Sequence, residues 1–151
     1  MEKLKTLIVL FKAHTSIGNN IKYSLSESIL TLNEFSALEA VYTKGALQTQ
    51  VLAESLLIPN SSLTYVLDML QKNEYITRVK DPTDRRRQLV ELTSKGSTIF
   101  EEIYLQHYAH MRKIFDVLSE EEEVQLQELL KKIGKKAEEE VDSETCRKIG
   151  E

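Results

Sequence analysis

Leu4, Leu7, Ile8, Phe11, Ile17 and Ile21 recur at the spacing that lines up side chains on one face of an α-helix, and predict a first amphipathic helix over about residues 3–25. A second helix begins at Thr31. Thr31 and Glu34 form a capping box, in which the hydroxyl and the carboxylate each accept from an orphan amide of the first turn. Phe35, Leu38 and Val41 or Tyr42 make its inward face, and Gly45 ends it. "LQTQVLAESLLI" (47–58) and "SSLTYVLDMLQKN" (61–73) are two short helical patterns broken at Pro59-Asn60. Pro59 has no amide to donate and restricts Ile58, so the chain must turn there. Leu52, Leu56, Leu63, Val66, Leu67 and Leu70 form the inner faces, which leaves Ser61, Ser62, Thr64, Tyr65 and Asp68 outward.

The period then changes. "YITRVK" and "RQLVELT" alternate with period two around "DPTDRR", a two-stranded hairpin with an exposed, charged tip. Thr93 caps a long helix over about 94–117, carrying Ile99, Ile103, Tyr104, His107, Met111, Ile114 and Phe115. Ser119 and Glu122 form another capping box and open a last helix through about 140, with Val124, Leu126, Leu129, Leu130 and Ile133. The expected fold is mainly α with a small β-hairpin: two short helices joined by a tight turn and followed at once by a basic hairpin make a winged helix-turn-helix.

With 151 residues, 41% of them hydrophobic, the chain suits one ordinary globular domain. The lone Cys146 excludes a disulfide framework within the chain and a cysteine-based zinc site, and fits a reducing compartment. No apolar run approaches the roughly 18 residues that would span a bilayer, and "MEKLKTLIVLFKAHTS" is too charged for a signal peptide, so the expected location is cytoplasmic, with no membrane partner. No glycine-rich phosphate loop and no Ser/His/Asp order is present, so neither catalytic activity nor a cofactor is expected.

The net charge of −4 is unevenly spread. Lys72, Arg78, Lys80, Arg85, Arg86 and Arg87 outweigh Glu74, Asp81 and Asp84, whereas the acids between Glu120 and Glu144 outweigh Lys131, Lys132, Lys135 and Lys136. The first region can face a polyanion and the second repels it. Double-stranded DNA suits the basic region: a slim helix fits the major groove, where Ser61, Ser62, Thr64 and Tyr65 reach base edges or phosphates. At the hairpin tip Asp84 stands two residues before Arg86, where it can hold that guanidinium for the minor groove, and Arg85 and Arg87 go to phosphates. The same features also suit a solvated turn, or a winged-helix module that binds another protein through the acidic last helix. His107 and His110, three apart on one helix, with His14 as a third ligand, are weak candidates for a metal-responsive regulator; no metal site is expected.

"LTLNEF", "VLAESLLIPNSSLTYVLDMLQKNEYITR", "DPTDRRRQLVELTSKG" and "LSEEE" together resemble the bacterial multiple antibiotic resistance regulator (MarR) family of winged-helix repressors, over about residues 4–140. Family members carry an Asp-x-Arg at the wing, matched by Asp84 and Arg86. They often have glycines where Leu57 and Glu74 stand, and an arginine where Tyr65 stands. The resemblance implies a single MarR-like domain over 1–151, with a DNA-binding lobe over about 31–93 and dimerisation helices over about 3–25 and 94–140. It implies a homodimer, its first and last helices intertwined, that binds a pseudo-palindromic operator and is usually released by a small molecule or by oxidation of a cysteine. Thiol sensors of the family use a cysteine in the first helix, which this chain lacks. It further implies a cleft between the dimer helices and the DNA-binding lobe, which His14, Tyr42, Tyr104, His107, Tyr108 and Met111 would line for a small aromatic or anionic effector; plain core packing suits the same residues. Leu4, Leu7, Ile8 and Phe11, with Leu126, Leu129, Leu130 and Ile133, are more apolar surface than one small core can cover, which agrees with a dimer.

Overall fold

A computed structural model describes residues 2–56 and 60–149, the side chains of 2–4, 60 and 142–149 excepted. Helix α1 spans Glu2–Ser24, α2 Leu32–Lys44, strand β1 Leu47–Gln48, α3 Thr49–Leu56, α4 Asn60–Lys72, β2 Ile76–Lys80, β3 Gln88–Leu92, α5 Ser94–Phe115 and α6 Glu120–Ile149. The turn expected at Pro59 and the departure at Leu57 lie outside the described residues. So does the side chain of Cys146. The last helix runs nine residues past the expected end at 140, to Ile149. No helix among the described residues is long and apolar enough to cross a membrane.

The caps are where the residue types demand them. Thr31 Oγ1 accepts from the Glu34 amide at 3.3 Å and Glu34 Oε2 accepts from the Thr31 amide at 2.8 Å, closing the box at the start of α2. Gly45 ends α2 at φ 80°, a conformation open to glycine, and its amide donates to Val41 O. At α6, Ser119 and Glu122 make the same reciprocal pair at 2.8 and 3.2 Å.

One element has no counterpart in the sequence reading. Leu47 and Gln48 do not begin a helix; they form a short strand that pairs antiparallel with β3, Leu47 opposite Val90 and Gln48 opposite Leu89. The sheet is therefore three-stranded, in the order β1-β3-β2, rather than a bare hairpin. Two residues show no period of their own, so only the presence of β3 decides their state.

Residues up to Met111 form one compact unit and those from Arg112 onward another. In the first unit Leu38, Leu52, Leu63, Leu67, Leu70, Ile76 and Val90 are fully buried, with Phe35, Val41 and Phe100 beside them. Each contributes about 1.5–3 kcal/mol by leaving water. Only the far end of α1 takes part: Leu25 and Leu30, just beyond it, are buried, whereas Leu7, Ile8, Val9 and Phe11 are 46–61% exposed. In the second unit Arg112 joins the end of α5 to the start of α6 by donating to Asp116 at 2.7 Å and Glu123 at 3.0 Å. Leu126, Leu129, Leu130 and Ile133 of α6 are all exposed.

The junction of α4, sheet and α5 is held by backbone geometry. The Tyr75 amide donates to Leu70 O and the Glu74 amide to Gln71 O, the paired bonds of a Schellman cap, with Glu74 left-handed at φ 64°. Thr93 Oγ1 accepts from the Gly96 amide at 2.9 Å, as a cap, and donates to Glu74 O at 2.7 Å. The Thr93 amide donates to Tyr75 O. Gly96 passes so close that a Cβ there would stand 1.9 Å from Tyr75 O, which is why the first turn of α5 needs a glycine.

Candidate nucleic-acid interface

Helix α4 divides along its length. Leu63, Val66, Leu67 and Leu70 lock it into the core, so Ser61, Ser62, Thr64 and Tyr65 are turned outward by the 3.6-residue period, Tyr65 to 68% exposure. Ser61, Ser62 and Tyr65 border a shallow hollow with Thr31 and Asn33, so the start of α2 shares this surface. Asn33 went unnoticed in the sequence because nothing local marks it. Asp68, also outward, is engaged: it pairs with Arg78 of β2, which donates to Gln71 as well at 2.6 Å. That tie fixes the base of the wing to the last turns of α4.

The wing tip is organised by a residue that the sequence reading passed over. Asp81 is buried, and its Oδ1 accepts from the Thr83 amide at 2.8 Å and the Thr83 hydroxyl at 2.6 Å. Its Oδ2 accepts from the Gln48 amide group at 3.0 Å. The Thr83 hydroxyl above all, with the other donors, holds the Asp81 carboxyl below the usual carboxylate range against the opposing effect of burial. The Asp-Pro pair that opens the tip is a turn signal, and an Asp side chain bonding two residues ahead is its usual partner, so Asp81 was in principle legible. Gln48 was not, because its strand was not.

The expectation that Asp84 holds the Arg86 guanidinium is corrected. Asp84 Oδ1 accepts from the Arg86 backbone amide at 3.1 Å, and its Oδ2 pairs with Arg87 Nε at 3.3 Å. Arg87 also donates to Gln48 Oε1 at 3.1 Å. The reason is the turn: Arg87 N donates to Asp84 O and Asp81 N accepts nothing but donates to Arg87 O, a closed loop that brings the side chain three residues on, rather than two, beside Asp84. Arg87 is thereby tied into the wing, with its side chain still 59% exposed. Arg85 and Arg86 are exposed, and their side chains make no hydrogen bond or ion pair among the described residues.

The residues expected to line an effector cleft are only partly brought together. Tyr42, Phe100, Tyr104 and Tyr108 form a chain of ring contacts at 4.8, 5.5 and 5.8 Å, and Phe35 bridges Phe100 to His107. Tyr42 donates to Glu101 at 2.9 Å, which raises its pKa. Met111 is half-buried, and His14 is exposed on α1. No cavity among those described is lined by this set. A cleft of about 500 Å³ lies instead on another face of α5, against the end of α1 and the connection to α2.

His107 and His110 face different partners. The Ser24 hydroxyl donates to Ile21 O and its oxygen meets His107 Nδ1 at 2.8 Å. Burial, and secondarily His110, holds the His107 pKa below the usual imidazole range. His110 Nε2 faces Asn20 Oδ1 at 3.1 Å. The two rings instead fasten α5 to α1, and no group of three or more metal-ligating side chains occurs among the described residues.

A helix-turn-helix with its second helix turned polar side outward, followed by an arginine-tipped wing on a three-stranded sheet, defines a winged helix-turn-helix transcriptional regulator. The MarR family model matches residues 30–87, the lobe just described. The chain is 35% identical to the HTH-type transcriptional regulator MhqR of Bacillus subtilis (strain 168), covering 88% of this chain and 92% of that one. It is 34% identical to the HTH-type transcriptional regulator YkoM of the same strain, over 83% and 82%. Among solved structures, NadR in complex with 4-hydroxyphenylacetate superposes with a TM-score of 0.74 at 28% identity, over 83% of this chain and 89% of that chain. The chain belongs to the MarR family, and its relatives are DNA-binding transcription regulators.

Proposed function

We propose that the protein is a homodimeric repressor that occupies a pseudo-palindromic operator in double-stranded DNA and leaves it when a small-molecule effector binds. The observation that carries this reading is the outward polar row on α4 together with two unengaged arginines, Arg85 and Arg86, on a wing tip ordered by Asp81, Asp84 and Arg87. A two-fold dimer sets the two α4 helices in successive major grooves, about 34 Å apart, where Ser61, Ser62, Thr64 and Tyr65 meet base edges and phosphates. Arg86 enters the flanking minor groove, where narrow A·T-rich stretches focus negative potential, and Arg85 meets phosphate. Arg87 serves the wing. The exposed apolar side chains of α1, and separately those of α6, supply surface for the second copy. The NadR complex supports an effector of small aromatic size. The protein works in the cytoplasm, beside the DNA it reads.

The test starts from genomic fragments selected by the purified protein and continues by fluorescence anisotropy over a range of salt. Arg86→Ala should melt like the wild type and lose about 1–3 kcal/mol of operator binding per half-site. Arg85→Ala should weaken all sequences alike and flatten the salt slope. A protein that selects no fragment, or whose Arg86→Ala variant binds the operator as tightly as wild type, would be a winged-helix module for some other partner.

A further inference from the structure

The cleft of about 500 Å³ between the end of α1, the α1–α2 connection and α5 has a volume within the range of small-molecule sites, about 300–1,000 Å³. Ile29 and Ile103 give it apolar wall and Tyr23 an aromatic one; Glu27 and Glu102 bring two carboxylates, and no lysine or arginine lines it. Its hydroxyls deepen the bias. Ser24 and Ser26 donate to Ile21 O and Tyr23 O, each at 2.8 Å; the Ser24 oxygen also meets His107 Nδ1, which leaves the Ser26 oxygen as the hydroxyl acceptor on this wall. Asn20 donates its amide group to Ser16 O at 3.0 Å, which turns its Oδ1 toward His110 Nε2 at 3.1 Å.

We propose that this cleft binds a small organic cation, an amine with an apolar body. The wall carries two carboxylates and no lysine or arginine to balance them. A ligand must therefore bring donors and positive charge, the ammonium toward Glu27 and Glu102 and the body against the isoleucines, with the Tyr23 ring able to face the cation. An anionic effector, the class first expected from the sequence, is repelled here. An occupant touches both sides of the joint at which Ser24 and Asn20 hold His107 and His110, so it reports on the seating of α5 against α1. The proposal names a ligand class for the effector step above and rests on that reading only for its consequence at DNA.

Isothermal titration calorimetry on the full-length protein tests it, with phenethylammonium as probe and 3-phenylpropionate, of similar shape and opposite charge, as control. The amine should bind saturably and more weakly as salt rises, and the carboxylate at least about tenfold more weakly. Glu27→Gln and Glu102→Gln should each weaken the amine about tenfold, and both positions are exposed, so circular dichroism should show folded variants. Equal binding of amine and carboxylate, no binding of the amine at millimolar concentration, or amine binding unchanged in both variants overturns the proposal. Operator anisotropy on the same preparation separates the two readings. Protein that binds its operator but not the amine loses this site and keeps the regulator, and protein that binds the amine but no DNA does the reverse.

Discussion

Glu74 holds a backbone conformation that glycine adopts without strain. Its φ of 64° closes the Schellman cap of α4, and in that region a Cβ crowds the following carbonyl by roughly 1–2 kcal/mol. The side chain returns little, since its pair with Lys95, at 3.3 Å, is exposed. Glu74→Gly should therefore raise the free energy of unfolding by about 1 kcal/mol, measured by urea denaturation; an unchanged or lower midpoint would mean that the cap is not strained. Gly96 is the opposite case. The atom its absent Cβ would meet is a backbone carbonyl, not a flexible side chain, so Gly96→Ala should push α5 off Tyr75 and cost about 3 kcal/mol, the upper part of the overpacking range. A variant that melts within a degree of wild type would show that the helix can move aside. Of these two positions, the resemblance marked 74 as a departure, but only the backbone conformation in the fold says what the departure costs.

The wing is an element whose stiffness comes from its neighbours. A two-stranded hairpin alone is marginal in water. Here β1 adds a third strand, and Gln48 spans the gap with its amide donor on Asp81 and its carbonyl on Arg87. Gln48→Ala should leave thermal stability within about 1 kcal/mol, because the contacts near Arg87 are exposed, and yet weaken operator binding about tenfold by letting the tip wander. Amide exchange at Thr83 and Arg87 should quicken in the same variant. Unchanged exchange and affinity would reduce Gln48 to a bystander. The hairpin strands, the caps of α2, α5 and α6 and the outward face of α4 were legible in the residue order, because each depends on neighbours within about one or two turns of chain. The third strand and the Asp84–Arg87 pairing were not, because each is settled by a closed loop or by a strand about forty residues away, beyond the range of local pattern.

For the whole molecule, charge and apolar surface point in different directions. The positive side chains concentrate around the wing and the acidic ones in α6, which favours DNA at one surface and discourages promiscuous sticking at another. Leu7 and Ile8 of α1, and Leu126, Leu129, Leu130 and Ile133 of α6, are exposed apolar side chains. Light scattering behind size exclusion should accordingly give a dimer at micromolar concentration, and Leu129→Glu with Ile133→Glu should shift it toward monomer without unfolding the first unit. A wild-type monomer at that concentration would contradict the dimeric reading.

Sequence alone determined the helices, their caps, the basic hairpin and the polar face of α4, and with them the family, since periodicity, capping chemistry and turn residues act over a few neighbours. Only the tertiary structure decided which arginine Asp84 holds, that Asp81 and Gln48 order the tip, and that the aromatic residues of α5 pack into a ring array while an acid-lined cleft opens on another of its faces. Those outcomes depend on which distant groups compete for the same few donors and acceptors once the core has closed, and that competition exists only in three dimensions.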